Sequence, residues 1–157
     1  MKTLILYYSY GGNTRRIAEM IQKQVSGDLV EIETEKSYPT DYNAVVEQGQ
    51  QEVNSGFMPK LKPLSVDIGS YDRIILGSPV WWYTFAPAMN TFLHENDLTD
   101  KEVWSFATNG GWIGHTFKDF QRNCHGAQVK DGLNIRFDGT SLMTPEKDIL
   151  AWISKLK

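Results

Sequence analysis

Residues 7–16 read YYSYGGNTRR, and in this stretch two adjacent glycines separate a hydrophobic segment from a helical pattern. The hydrophobic segment before them, LILYY at residues 4–8, is typical of a buried strand. After the glycines, apolar residues recur at helical spacing on one face, namely Ile17, Met20, Ile21 and Val25. The stretch is therefore predicted to turn tightly from a strand into a helix.

The same alternation of strand and helix patterns continues along the chain and indicates an α/β fold. Four further segments have strand character: residues 30–34, 73–77, 103–107 and 133–137. The first and last of these alternate apolar and polar residues, whereas the middle two are continuous apolar runs, which is typical of parallel strands covered on both faces. The patterns place the second and fifth strands at the edges. We therefore expect a doubly wound, five-stranded parallel sheet with strand order 2-1-3-4-5.

Helical patterns lie between and after these strands and predict five helices, in three layers with the sheet. The second of them is predicted from a stripe at helical spacing formed by Tyr42, Val45, Val46, Gly49 and Val53. Pro87 and Pro145 stand at two predicted helix starts, where a proline is well tolerated. Residues 56–70 show no clear periodicity, and we expect a short helix or an extra strand there because structureless loops of that length are uncommon. Residues 1–157 are predicted to form a single domain.

Composition narrows the function classes. The formal net charge is −3 without any block of like charge, which argues against nucleic-acid and membrane-surface partners. The single cysteine, Cys124, suits a reducing compartment, and no apolar run is long enough to span a bilayer. The three histidines and one cysteine have no metal-ligand spacing. We expect a cytoplasmic protein without a metal.

The glycine turn lies where an open α/β sheet binds its ligands, beyond the carboxyl ends of the strands at the point where strand order reverses. Glycines allow backbone N–H groups to converge, the following helix adds unpaired N–H groups, and Ser9, Asn13 and Thr14 add side-chain donors. Together they predict a phosphate cradle. A plain strand-to-helix turn is the alternative. The nucleotide P-loop is excluded because no lysine follows the glycines, and the dinucleotide fingerprint because a third glycine is missing.

Two more loops are predicted to lie at the same edge. The loop after the third strand carries three consecutive aromatic residues, where ordinary turns carry small polar ones. Its candidate binding residues are Pro79, Val80, Trp81, Trp82 and Tyr83. The loop after the fourth strand contains three glycines and another tryptophan, and its candidates are Thr108, Asn109, Gly110, Gly111, Trp112 and Gly114. A phosphate cradle beside two aromatic, glycine-rich loops predicts flavin mononucleotide (FMN).

These three loops, in this order, resemble those of the flavodoxin family, and the resemblance extends over nearly the whole chain. It implies a flavodoxin-like, short-chain FMN protein. On this resemblance the phosphate is held by Ser9, Tyr10, Gly11, Gly12, Asn13 and Thr14. Trp81 is nearest to the position of the family's flavin-stacking tryptophan, with Trp82 and Tyr83 as competitors. The backbone of the third loop meets the pyrimidine edge of the flavin.

The chain departs from the family pattern at two places. Gly11 stands where the family usually has a hydroxyl residue. No glycine follows Trp81, so we expect the residues after it to avoid a positive φ, which favours two-electron chemistry.

The resemblance implies a redox protein that transfers electrons through a non-covalently bound flavin. It leaves two classes open: an FMN-dependent NAD(P)H oxidoreductase acting on quinones or similar small acceptors, or a low-potential electron carrier that docks to redox partner proteins. His115, at the end of the third loop, is interpreted as structural or solvated. No catalytic residue is assigned.

Overall fold

The computed structural model describes residues 1–157 and contains a mostly parallel sheet. Its five main strands are β1 (Thr3–Tyr7), β2 (Asp28–Glu31), β3 (Arg73–Trp81), β5 (Glu102–Asn109) and β7 (Leu133–Asp138). They are joined in the order β2-β1-β3-β5-β7, and all four pairings are parallel. Counted along the chain, this is the predicted order 2-1-3-4-5, so the predicted α/β fold is confirmed.

Three two-residue strands that the sequence did not predict extend the sheet: β4 (Thr84–Phe85), β6 (Gln128–Val129) and β8 (Ser141–Leu142). Strand β4 pairs antiparallel with the end of β3, and β8 pairs antiparallel with the end of β7. Both are hairpin extensions at the carboxyl edge of the sheet. They were missed because two residues are too few to show a period in the sequence.

The five helices are α1 (Asn13–Val25), α2 (Tyr42–Ser55), α3 (Pro87–Glu95), α4 (Thr116–Asn123) and α5 (Glu146–Ser154). Helices α1 and α5 pack on one face of the sheet, where Ile17 and Ile153 share a buried cluster. On the other face Phe92 of α3 and Phe120 of α4 share a second cluster, and α2 packs against α3 and β3. The sheet is therefore covered on both faces. None of the helices has the length and apolar character needed to cross a membrane.

The second strand begins and ends earlier than the predicted segment 30–34, since it spans Asp28–Glu31. It ends at Glu31, and Thr34 instead forms an isolated antiparallel bridge with Leu61. This bridge, together with a single 3-10 turn at Ile68–Ser70, is the structure within the segment 56–70. The apolar alternation at 30–34 therefore covers the end of β2, which pairs with β1, and the separate bridge at Thr34. In the sequence pattern alone these two pairings look like one strand.

The three central strands end side by side, which brings their following loops together. Tyr7 of β1 is in register with Gly77 of β3, and Ser78 is in register with Ala107 of β5. Gly77 allows the ring of Phe106, its neighbour in register on β5, to lie against its backbone. A Cβ atom at residue 77 would lie only 2.1 Å from that ring. The loops after Tyr8, Trp81 and Asn109 thus meet at one edge.

Candidate cofactor site

The loop between β1 and α1 forms an anion cradle from backbone alone. Gly11 and Gly12 have φ angles of +85° and +96°, a region that residues with a Cβ atom rarely adopt. The backbone N–H groups of residues 11–14 donate no hydrogen bond within the protein. They lie at the first turn of α1, where the helix dipole adds partial positive charge. This arrangement suits a terminal phosphate.

Three polar side chains of this loop make hydrogen bonds within the protein. Ser9 Oγ accepts a hydrogen bond from the N–H of Arg15 over 3.3 Å, and Asn13 Nδ2 donates to the carbonyl of Gly139 over 2.9 Å. The hydroxyl groups of Thr14 and Thr108 are 2.8 Å apart and buried. These contacts hold the cradle in shape, and because Ser9 Oγ only accepts in its contact, its O–H remains free to donate.

The arginines after the cradle point elsewhere. Arg15 is paired with Glu31 and donates to the hydroxyl of Tyr7. Arg16 lies over the ring of Phe137 and reaches the carbonyl of Thr140. Both guanidinium groups are thus engaged with neighbouring strands and loops, so the positive character of the cradle comes from the helix start.

The loop after β3 is a two-residue hairpin turn between Trp81 and Thr84. Its central residues Trp82 and Tyr83 have φ angles of +49° and +73°. The expectation that these residues avoid a positive φ is therefore wrong. The reason is the hairpin itself: two-residue loops favour turns with positive φ at both positions, because that twist matches the twist of the strands. Each such residue costs about 1–2 kcal/mol without a glycine.

Two contacts hold this strained turn. Trp82 Nε1 donates to the carbonyl of Val46 in α2 over 2.9 Å, and the N–H of His115 donates to the carbonyl of Tyr83 over 2.8 Å. The second contact needs Gly114, because a Cβ atom there would lie 2.2 Å from the Tyr83 carbonyl oxygen. The hairpin is thus fixed between α2 and the third loop.

Trp81 is held by an aromatic cluster beneath the hairpin. Its ring makes edge-on contacts with Tyr8, Tyr10 and Tyr38 at centroid distances of 5.9, 5.9 and 4.9 Å. Burial raises the pKa of Tyr8 and of Tyr38, so both phenols stay neutral. Gly49 of α2 lets the Trp81 ring approach, since a Cβ atom there would be 3.3 Å from it. Trp81 is therefore a half-buried ring held in place by neutral tyrosine side chains.

The third loop contributes unpaired backbone donors and an exposed ring. The N–H groups of Gly110 and residues 112–114 have no partner within the protein, while the N–H of Gly111 donates to the side chain of Asn109. Trp112 is 69% exposed, and its ring lies 5.3 Å from that of Tyr83. These N–H groups could meet the polar edge of a planar ligand.

The hairpin, the first loop and α2 enclose a cleft of about 480 Å³, within the usual size of ligand pockets. It is lined by Tyr10, Tyr42, Val45, Val46, Gly49, Val80, Trp81, Trp82, Tyr83 and Trp112. Six of these were predicted site residues. The four from α2 were not, because their helical spacing was interpreted only as a packing stripe. The sequence offers no separate signal for them, because the same helical spacing fits a residue stripe that only packs; the structure shows the difference, since Tyr42 is 76% exposed.

The remaining predicted residues do not line this cleft. Those of the first loop form the cradle, and those of the third loop flank Trp112, which does line the cleft. Pro79 and Thr108 lie in register on adjacent strands at the base of the two loops. The backbone cradle and the aromatic cleft together suit a phosphorylated ligand with a flat ring.

The chain belongs to the flavodoxin family, whose model matches residues 2–156. A flavodoxin of Haemophilus influenzae is 32% identical over 106 residues, which are 65% of this chain and 47% of that protein. The match thus spans about half the length of this relative.

Two solved structures are also similar. A flavoprotein of Lactobacillus acidophilus NCFM in complex with FMN is 29% identical, with 85% of this chain and 91% of that one covered and a TM-score of 0.72. A candidate flavoprotein of Bacteroides eggerthii is 31% identical, with 99% and 97% covered and a TM-score of 0.84. The resemblance seen in the sequence is thereby confirmed.

Proposed function

We propose that this chain binds FMN without a covalent bond and transfers electrons through it. The observation that carries the proposal is the cradle at residues 11–14, in which successive N–H groups without a protein partner stand at a helix start. It fits one terminal phosphate and needs neither a lysine nor a metal. Membership of the flavodoxin family and the FMN complex of the Lactobacillus flavoprotein support the same cofactor.

In this proposal each part of the site has one task. The cradle binds the phosphate, Trp81 and the other aromatic residues of the cleft exclude water from the ring, and the N–H groups of the third loop bind its polar edge. The bound flavin supplies the redox chemistry. The protein tunes it through these contacts and through a hairpin that is already in its left-handed conformation.

The surroundings of the cleft favour a reductase over an electron carrier. No charged residue lines the cleft, and its most exposed residues are the aromatic side chains of Tyr42, Tyr83 and Trp112. Carriers rely on complementary charge to find their protein partners, whereas an aromatic rim suits a small planar donor or acceptor. We therefore favour NAD(P)H as the donor and a quinone or similar small molecule as the acceptor, with a docking redox protein as the second candidate.

The test is reduction of the purified, FMN-loaded protein under anaerobic conditions, followed by flavin absorbance. Bleaching by NADH or NADPH, and return of the colour on adding a quinone, is the expected result. A flavin that only dithionite reduces would assign the protein to the carrier class. A chain that binds no FMN would contradict the proposal as a whole.

A further inference from the structure

The carboxylate of Asp119 joins the two segments that meet at the strained hairpin. Its oxygen Oδ2 accepts a hydrogen bond from Thr84 Oγ1 over 2.5 Å and lies 2.5 Å from His115 Nδ1. Because a carboxylate oxygen only accepts, Nδ1 carries the proton in this contact. Thr84 is the first residue after the turn, and the backbone N–H of His115 donates to the carbonyl of Tyr83. One oxygen atom thus holds the residue that follows Tyr83 and the residue that donates to it.

Asp119 is itself held in a fixed place. It belongs to the first turn of α4, where the helix dipole favours a negative charge. The next residue, Phe120, is fully buried, and its ring lies 4.9 Å from that of Phe85, the second residue of β4. Only 18% of the Asp119 side chain is exposed, so water has little access to its two contacts. The carboxylate therefore connects the hairpin to a packed part of the core.

The turn that Asp119 supports is not favoured by its own sequence. Trp82 and Tyr83 both have a positive φ, and neither is the glycine, asparagine or aspartate that such a turn prefers. Each residue of this kind lowers the population of the left-handed conformation about 5- to 30-fold. Both residues line the cleft, and the peptide between them makes no hydrogen bond within the protein. The orientation of this free peptide therefore depends on the contacts around the turn.

We propose that Asp119 is a positioning residue for the cofactor. It keeps the Trp82–Tyr83 turn left-handed and so fixes the orientation of the free peptide before a ligand enters. The inference rests on the proposed function, in which FMN occupies the cleft; Asp119 itself does not line that cleft. Without the carboxylate, the left-handed turn is one of several conformations, and the apparent affinity for FMN falls in proportion to its population.

The experiment compares FMN affinity and turn conformation in purified variants. Dissociation constants are measured by quenching of flavin fluorescence. The sign of φ at Trp82 and Tyr83 is measured by NMR from one-bond Cα–Hα couplings, before and after FMN is added. In Asp119→Ala we expect about tenfold weaker binding of FMN, because the competent turn is less populated. Its couplings should be averaged without FMN and return to the values of a positive φ when FMN is bound.

Two variants separate the contacts of the carboxylate from a general loosening of α4. Asp119→Asn keeps an oxygen that can accept from both partners, so FMN binding should stay within about threefold of wild type. Asn123→Ala is the matched control, since it removes the hydrogen bond from Asn123 Nδ2 to the Asp119 carbonyl in the same helix. This bond does not reach the hairpin, so the couplings and the dissociation constant should stay unchanged.

A third variant tests whether Thr84 acts through Asp119. Thr84→Val removes the hydroxyl group but keeps the shape of the side chain, and it should weaken FMN binding less than Asp119→Ala does. Because both residues belong to one contact, the double variant Thr84→Val/Asp119→Ala should bind FMN as well as Asp119→Ala alone.

Four results would overturn the proposal: wild-type affinity or wild-type couplings in Asp119→Ala, binding by Asp119→Asn as weak as in Asp119→Ala, an equal loss in Asn123→Ala, or additive losses in the double variant. If Asp119→Ala does not fold, unchanged couplings in Thr84→Val would overturn it instead. A chain that binds no FMN contradicts the proposed function. An FMN-loaded Asp119→Ala protein with wild-type affinity contradicts only the role of Asp119.

Discussion

The contact between Thr14 and Thr108 leads to a quantitative prediction about the phosphate loop. Both residues are nearly inaccessible, with 1% and 4% exposure, and their hydroxyl groups share one hydrogen bond. Thr14→Val keeps the shape of the side chain but leaves the Thr108 hydroxyl buried without a partner. The expected loss is about 1–3 kcal/mol in the free energy of unfolding. Replacing both threonines by valine removes both polar groups and should cost less than either single change.

The assay is urea unfolding of the apoprotein for the wild type, Thr14→Val, Thr108→Val and the double variant, which forms a double-mutant cycle. FMN titrations of the folded variants are run in parallel. Because the Thr14 hydroxyl is used inside the protein, the FMN dissociation constant of Thr14→Val should stay within about threefold of wild type. The reasoning is refuted if Thr14→Val keeps full stability and loses FMN binding while Thr108→Val binds normally, since the hydroxyl would then contact the phosphate.

Three further predictions concern the cradle, the aromatic ring and pH. Gly12→Val should fold, because its Cβ atom would meet no atom within 4 Å. The φ of +96° is, however, strained for valine by about 1–2 kcal/mol or more. FMN titration should therefore show at least a tenfold weaker complex. Unchanged affinity would place the cradle elsewhere. Trp81→Ala should weaken FMN binding by about 1–3 kcal/mol; a larger loss in Trp112→Ala would make the assignment of the stacking ring to Trp81 wrong. The hydrogen bond to Asp28 raises the pKa of Tyr71 to about 12, above its usual value near 10. The stability from this contact is complete below about pH 10 and lost as the pH rises towards 12. Between these two pH values, the urea concentration at the unfolding midpoint should therefore fall less in Tyr71→Phe than in the wild type.

The sequence was sufficient for the strand order and for the edge where the site lies. Continuous and alternating apolar runs reflect how each strand is covered, and this is a local property that survives in the sequence. The two glycines before Asn13 and the aromatic run from Trp81 to Tyr83 are equally local signals. Each is unusual for a turn, and each indicated a ligand before any geometry was known.

The contacts that tie the loops together could not be predicted in the same way. A two-residue turn with positive φ is normally marked by Asn-Gly or a similar pair, and Trp82-Tyr83 carries no such mark. Its conformation depends on Val46 and His115, which belong to distant segments. The contribution of α2 was missed for a related reason. One stripe of α2 contains the buried Val45 and also residues that line the open cleft. The helical spacing of the apolar residues is the same for both, so it does not show which of them face a ligand.

The side chains that brace the phosphate loop also determine when the protein can first recognise its cofactor. Asn13 and Thr14 are made early in synthesis, yet their partners Gly139 and Thr108 follow 126 and 94 residues later. Neither contact can form before residues 108 and 139 have been synthesised. The glycine turn therefore leaves the ribosome long before Thr108 and Gly139 have been made. A nascent chain that lacks β5 and β7 contains the phosphate loop but not the two residues that hold it in shape. We therefore expect FMN to bind only to chains in which β5 and β7 have joined the sheet.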